Sequence, residues 1–309
     1  MGDGPAGERE GLTATVLVPT TGDRGPLLPF SVGSVLAQTV TDIEVFLLLD
    51  GAEPETREAA ELLASRDRRV RVFAFPKSAR RGERERHAVL TEHARGRIVC
   101  YLCDRDLWLP DHLAEMDRVL SGADFGHTLR FAMEEGDRIG VRHVIDLADP
   151  ADRAVQAHHS SVLPLSMGGH TMDLYRRLPH GWRTTPPGRG TDRYMWSQIL
   201  AEPSCRVGWS PQPTVLYFKR GDHPGWSTAR RTALLEHWSA VIDDPAEVEL
   251  LRRRAWEAIL VDRSDRARRL RHLDRPWVDR AAERALPEHS YRALRRRAVA
   301  GRDRLRRRP

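Results

Sequence analysis

Apolar strand-like runs alternate with helix-like segments through the first third of this chain, and nearly every run stops at a polar turn. Thr13 to Val18 (TATVLV) reads as a strand stopped by Pro19, and Ile43 to Leu49 (IEVFLLL) as a strand ending at Asp50-Gly51. Arg69 to Phe75 (RVRVFAF) alternates, as a strand with one solvated face does. Arg97 to Leu102 feeds directly into Cys103-Asp104-Arg105-Asp106. Between these runs, Pro26–Gln38, Glu53–Arg66 and Glu83–Arg95 carry helical spacing, the second with Leu62 and Leu63 inward. Pro110 to Leu120 follows as a helix with His112, Glu115 and Arg118 outward. Such alternation predicts a parallel sheet covered on both faces, which binds ligands at the carboxyl ends of its strands. Thr20-Thr21-Gly22, Asp50-Gly51 and Asp104 to Asp106 all fall at those ends.

Asp104 and Asp106 lie two apart, so in extended chain they point the same way, and two hard oxygen donors suit Mg²⁺ or Mn²⁺. The same acids also suit a solvated turn that caps the next helix. The Gly-rich dinucleotide fingerprint and the Walker loop are both missing after the first strand, which argues against a dehydrogenase and a P-loop NTPase. Beyond Gly122 the pattern turns irregular, with a hairpin expected up to Val144 and a polar loop region from Asp149 to Gly169. Thr171–Leu178 reads as a short helix, Pro179–Gly190 as a long loop, Thr191–Leu200 as a helix and Thr214–Phe218 as a strand. Trp182 and His180 in the long loop suit either a ligand pocket or loop packing. From residue 227 onward the chain reads as helical.

Charge is uneven. Residues 290–309 hold nine arginines and one acid, Asp303, a net of +8 in a chain of +6, which leaves −2 for the rest. A near-neutral body argues against a nucleic-acid-binding face. The basic tail suits an anionic membrane surface or an acidic partner, and equally a solvated helix end. No apolar stretch approaches the roughly 20 residues of a membrane helix, and Met1–Gly11 carries no secretory signal. The three cysteines, Cys100, Cys103 and Cys205, fit a reducing cytosol, with Cys100-x-x-Cys103 read as core packing. Lysine occurs at positions 77 and 219 only, against a large excess of arginine, as in a GC-rich bacterial genome.

Three stretches carry a resemblance to the family-2 glycosyltransferases of the GT-A fold. Val16-Leu17-Val18-Pro19-Thr20 with Ser34 to Thr39 is similar to their opening strand and helix. Val45 to Gly51 resembles their second strand, and Ala94 to Ile98 with Tyr101 to Pro110 resembles their metal-site segment. The match is closest over residues 13–120 and weaker to about residue 225. The resemblance implies an α/β, Rossmann-like, mostly parallel sheet flanked by helices. It divides the chain into a flexible 1–12, a transferase domain 13–225 (nucleotide-binding half 13–120, acceptor-binding half 121–225) and a helical Arg-rich extension 226–309.

It also implies residue roles. Pro19, Thr20 and Asp50 hold the nucleoside, Arg86 contacts the base or a phosphate, and Asp104 contacts the ribose or the metal. Asp106 is the direct metal ligand, His223 reaches the metal or diphosphate, and Asp192 is the catalytic base. Two departures stand out: the family usually shows Asp at the position of Cys103 or Arg105, and here Arg105 interrupts the acidic cluster; and Thr191 replaces the common Glu before the base. The expectation is a metal-dependent (Mg²⁺ or Mn²⁺), inverting, cytoplasmic transferase. It moves a sugar from a nucleotide-diphosphate donor, with UDP favoured, to a glycan or small-molecule hydroxyl. Inversion follows from one base and one displacement. The helical tail is a candidate for subunit pairing or peripheral membrane contact. The competing readings are a non-catalytic nucleotide-sugar-binding or scaffold protein, which Arg105 favours, and a sugar-phosphate nucleotidyltransferase, which the Gly-poor first loop disfavours.

Overall fold

The computed structural model describes residues 11–133, 139–140, 144–158, 163–218 and 224–273. In chain order the elements are β1 (Leu12–Gly22), α1 (Leu28–Leu36), β2 (Ile43–Ala52), α2 (Pro54–Arg66), β3 (Val70–Phe75), α3 (Glu83–His93) and β4 (Gly96–Tyr101). Then come β5 (Leu107–Trp108), α4 (His112–Gly122), β6 (Phe125–Met133), β7 (Ile139–Gly140), α5 (Pro150–His158), β8 (Gly168–Thr171) and α6 (Met172–Arg177). The series ends with α7 (Thr191–Leu200), β9 (Val207–Tyr217), α8 (Thr228–Ile242) and α9 (Pro245–Leu273). The chain divides into two compact units, Met1–Ala255 and Trp256–Pro309.

The first unit is a mixed α/β layer structure whose strands run β3-β2-β1-β4-β8-β6-β9-β5, with β7 paired to β6. Its longest ladders are parallel: β1 with β2, β1 with β4, β2 with β3, and β6 with β9. Val16 to Val18 are fully buried because β1 lies between two strands and under helices on both faces. The register sets Val16 level with Val45 on one side and Cys100 on the other, so the ends of β1, β2 and β4 open at one rim. A second apolar cluster forms where Leu107, Leu109, Phe131 and Leu216 meet Leu235 and Trp238 of α8.

Several expectations are corrected. β1 runs through Pro19 to Gly22; its pairing with β4 ends at Leu17, so Pro19 sits where one side of the strand is open. Leu62 is 49% exposed, because the buried stripe of α2 is Thr56 and Ala60 with Leu63 partly covered, and Leu62 lies a turn-fraction off it. His112 points inward rather than outward: its ring stacks on Trp108 at 4.1 Å and its Nδ1 meets the Thr214 hydroxyl at 2.7 Å. Burial drives its pKa down to about 3. Glu44, a charge inside β2, is buried against the Thr15 hydroxyl (2.8 Å) and the Arg95 backbone N–H (2.6 Å). The polar region 149–169 contains helix α5 and the start of β8, a short strand that pairs antiparallel with both β4 and β6. The expected hairpin forms, as β6 and β7.

Candidate functional site

A cleft of about 600 Å³ opens at the rim where β1, β2 and β4 end. Three strand-end residues line it from below. Thr20 donates its hydroxyl to Asp104 Oδ2 at 2.9 Å, and Arg24 Nη1 reaches both oxygens of Asp104 at 3.2 and 3.0 Å. Asp50 is held at the end of β2 by Lys77 Nζ (2.5 Å), the Ser78 backbone N–H (2.6 Å) and the Ser78 hydroxyl (3.1 Å). Gly51 makes this turn possible: its φ is +65°, and a Cβ there would lie 2.5 Å from the Lys77 Cβ. Pro19 also lines the cleft, so Pro19, Thr20, Asp50 and Asp104 are brought together.

Arg86, on α3, lines the same cleft while only 4% exposed. Its Nη2 donates to the Arg81 carbonyl at 2.8 Å and its guanidinium lies 4.8 Å above the Trp182 ring, but Nε and Nη1 have no hydrogen-bond partner among the described residues. Burial pulls its pKa below the ordinary value, with Asp192 the chief opposing charge; an arginine so lowered is still cationic. Trp182 is therefore a support beneath Arg86 and is itself buried, whereas His180 is exposed. Trp182 Nε1 donates to the Tyr101 oxygen (2.9 Å), and Tyr101 donates to His170 Nε2 (2.7 Å). His170 Nδ1 then donates to the Thr171 carbonyl (3.0 Å). Burial lowers the His170 pKa to about 4 and raises that of Tyr101.

The far wall comes from the second half. Asp192 sits in the first turn of α7, where the positive helix end favours a carboxylate. Its Oδ2 accepts from the Leu165 backbone N–H at 3.2 Å, and its Oδ1 accepts from no described residue. Glu83 ties the walls together: its carboxylate takes the Arg81 N–H (3.0 Å) and the Thr191 hydroxyl (3.4 Å). Arg80 donates to the carbonyls of Thr185 (3.1 Å) and Pro186 (2.9 Å).

Asp106 stands apart. It is fully buried and is not part of the cleft lining. Ser166 donates to its Oδ2 at 2.5 Å and the Phe218 N–H to its Oδ1 at 3.0 Å, so it clamps the end of β9 to the β4–β5 turn. Burial raises its pKa. His223 lies outside the described residues. Cys103 lines the cleft as a thiol, its pKa pushed up to about 12 by burial, then by Asp106.

The divalent ion implied by the sequence does not fit these residues. Among the described residues no three His, Cys, Asp or Glu side chains converge. The oxygens of Asp104 already face Arg24 at 3.0 Å and Arg105 at 3.8 Å. A cation there would meet two guanidinium charges, at roughly 4 kcal/mol per pair of unit charges 4 Å apart near a protein surface. Six basic residues line the cleft (Arg24, Lys77, Arg80, Arg81, Arg86, Arg105) against three carboxylates, Asp50, Asp104 and Asp192. That balance among the described residues suits an anion.

A parallel rim that gathers Thr20, Asp50 and Asp104 coincides with a sequence match: residues 15–124 fit the model of Glycosyl transferase family 2. This stretch is a family 2 glycosyltransferase domain. The transferase has the GT-A fold, which the solved TarS structures share. A fragment of S. aureus TarS, residues 1–349, is 14% identical over 75% of this chain and 69% of its own, with a TM-score of 0.54. The same fragment in complex with UDP-GlcNAc is 15% identical over 75% and 66%, TM-score 0.54. The transferase spans 39% of the longer TarS structure. A mannosyltransferase, PcManGT from Pyrobaculum calidifontis, solved with GDP-Man and Mn²⁺, is 20% identical over 93% and 79%, TM-score 0.49. No helix among the described residues is long and apolar enough to cross a membrane.

Proposed function

We propose that this transferase moves a sugar from a nucleoside-diphosphate sugar to a hydroxyl of a glycan or small-molecule acceptor, with inversion at the anomeric carbon. The observation that carries the reading is one cleft holding Thr20, Asp50 and Asp104 on the strand-end side and Asp192 on the other. The acceptor oxygen forms a bond to the anomeric carbon as the bond to the diphosphate oxygen breaks. Asp192 takes the acceptor proton on Oδ1, the oxygen without a described partner. The nucleoside side of the donor lies against Pro19, Thr20 and Asp50. A UDP donor is supported by the UDP-GlcNAc bound in the similar TarS fragment. The leaving diphosphate faces the basic residues of the cleft, whose donor set does not fit a divalent ion.

A donor-hydrolysis screen across UDP-, GDP- and TDP-sugars tests this reading. One donor should be turned over, and NMR of the transferred product should show the opposite anomer. Retention of configuration, or no turnover of any nucleotide sugar, would remove it.

A further inference from the structure

The segment expected to hold a metal instead carries a permanent cation. Arg105 sits between Asp104 and Asp106 and lines the cleft, and its Nε has no hydrogen-bond partner among the described residues. The Asp104 oxygen nearest to it is 3.8 Å away and is already taken by Arg24. Arg86, 4% exposed, lines the same cleft, and its buried Nε and Nη1 have no partner among the described residues. Burying such donors unpaired is costly, so a site that keeps them is shaped for an anion that supplies the acceptors.

We propose that the guanidinium groups of Arg86 and Arg105 hold and neutralise the diphosphate of the donor, and that the transferase binds and turns over its donor without a divalent cation. This rests on the donor class proposed above. A guanidinium presents its N–H groups as a planar fork that matches phosphate oxygens, and it keeps its charge at any working pH. Arg86 is pre-placed, stacked on Trp182 and tethered to the Arg81 carbonyl, so it need not reorganise as charge grows on the leaving diphosphate. The carboxylates that a metal would need are engaged: Asp104 by Arg24 and Thr20, Asp50 by Lys77 and Ser78, Asp106 by Ser166 and the Phe218 N–H. Among the described residues, three carboxylates and six basic residues line the cleft, a formal excess of three positive charges, which a diphosphate ester lowers and a divalent ion raises.

Calorimetry on the full chain tests this, with UDP, GDP, TDP and the corresponding nucleosides titrated in EDTA and then in Mn²⁺. At least one nucleoside diphosphate should bind in EDTA, with Mn²⁺ changing Kd by less than about threefold, and donor hydrolysis should persist in EDTA. Arg105→Gln, its fold checked by circular dichroism, should weaken diphosphate binding about tenfold or more and leave nucleoside binding unchanged. Binding or turnover that appears only with Mn²⁺ overturns the proposal and leaves the donor reading standing. Equal weakening of diphosphate and nucleoside by Arg105→Gln assigns Arg105 a structural role and also overturns it. If no nucleoside diphosphate binds under either condition, the donor reading fails and the proposal fails with it.

Discussion

On the side of β1, β2 and β4, cleft residues stand at the ends of long parallel ladders, each fixed by several hydrogen bonds. On the opposite side, Leu165 lies in a 3-10 turn and Asp192 in the first turn of α7, joined by a single 3.2 Å hydrogen bond. The first wall is a rigid recess for groups that do not change during reaction. The second offers a carboxylate oxygen with no described partner, which a proton acceptor requires. The difference supports the proposed division, with binding at strand ends and proton transfer at a helix start.

The largest expected effect would break that division if it failed. Asp192→Asn should lower transfer at least about 100-fold while the fold is retained, measured by product formation and circular dichroism. Near-normal turnover would move the proton acceptor elsewhere.

Next comes Asp106, on the seam between the halves. Asp106→Ala should cost about 3 kcal/mol in urea unfolding, because it leaves the Ser166 hydroxyl and the Phe218 N–H unpaired in the interior. A metal ligand would show the reverse pattern, with stability kept and activity lost.

The seam also carries a pH response. His112, His127 and His170 are buried, and burial lowers their pKa values to about 3, about 4 and about 4. Their unfolded counterparts titrate near 6.5, so the stability they contribute is complete above that pH and is lost as pH falls toward the folded values. Between pH 6.5 and pH 5 each should remove roughly 2 kcal/mol, read from urea midpoints, and His112→Gln should flatten part of the drop. The smallest effect belongs to the first half. Leu62→Gln, on the exposed flank of α2, should change stability by less than about 0.5 kcal/mol.

The first half was legible because its signals are local. Continuous apolar runs become central parallel strands, and the turns after them carry Thr20, Asp50 and Asp104 to one rim. What stayed hidden depends on distant partners. Nothing near Asp106 tells that Ser166 and the Phe218 N–H will claim its oxygens, since both arrive from the second half. His112 looked solvent-facing on helical spacing alone, yet Thr214 of β9 and Trp108 of β5 draw it inward. β8 was missed because four residues rich in glycine carry no period, and the strand exists only because β4 and β6 leave a gap of its width. Arg105 is the case in which the chain did speak: a cation amid acids marks the departure from which the anion-binding reading grows.

The line from Trp182 through Tyr101 and His170 to the Thr171 carbonyl has one possible orientation. Indole can only give its hydrogen, so the phenol must pass its own to the imidazole, whose remaining N–H faces the carbonyl. Every link in this floor under Arg86 is thus spoken for, and its charge stays constant through a catalytic cycle at neutral pH. Any ligand entering the cleft meets a field already set, with no rearrangement of hydrogens left to wait for.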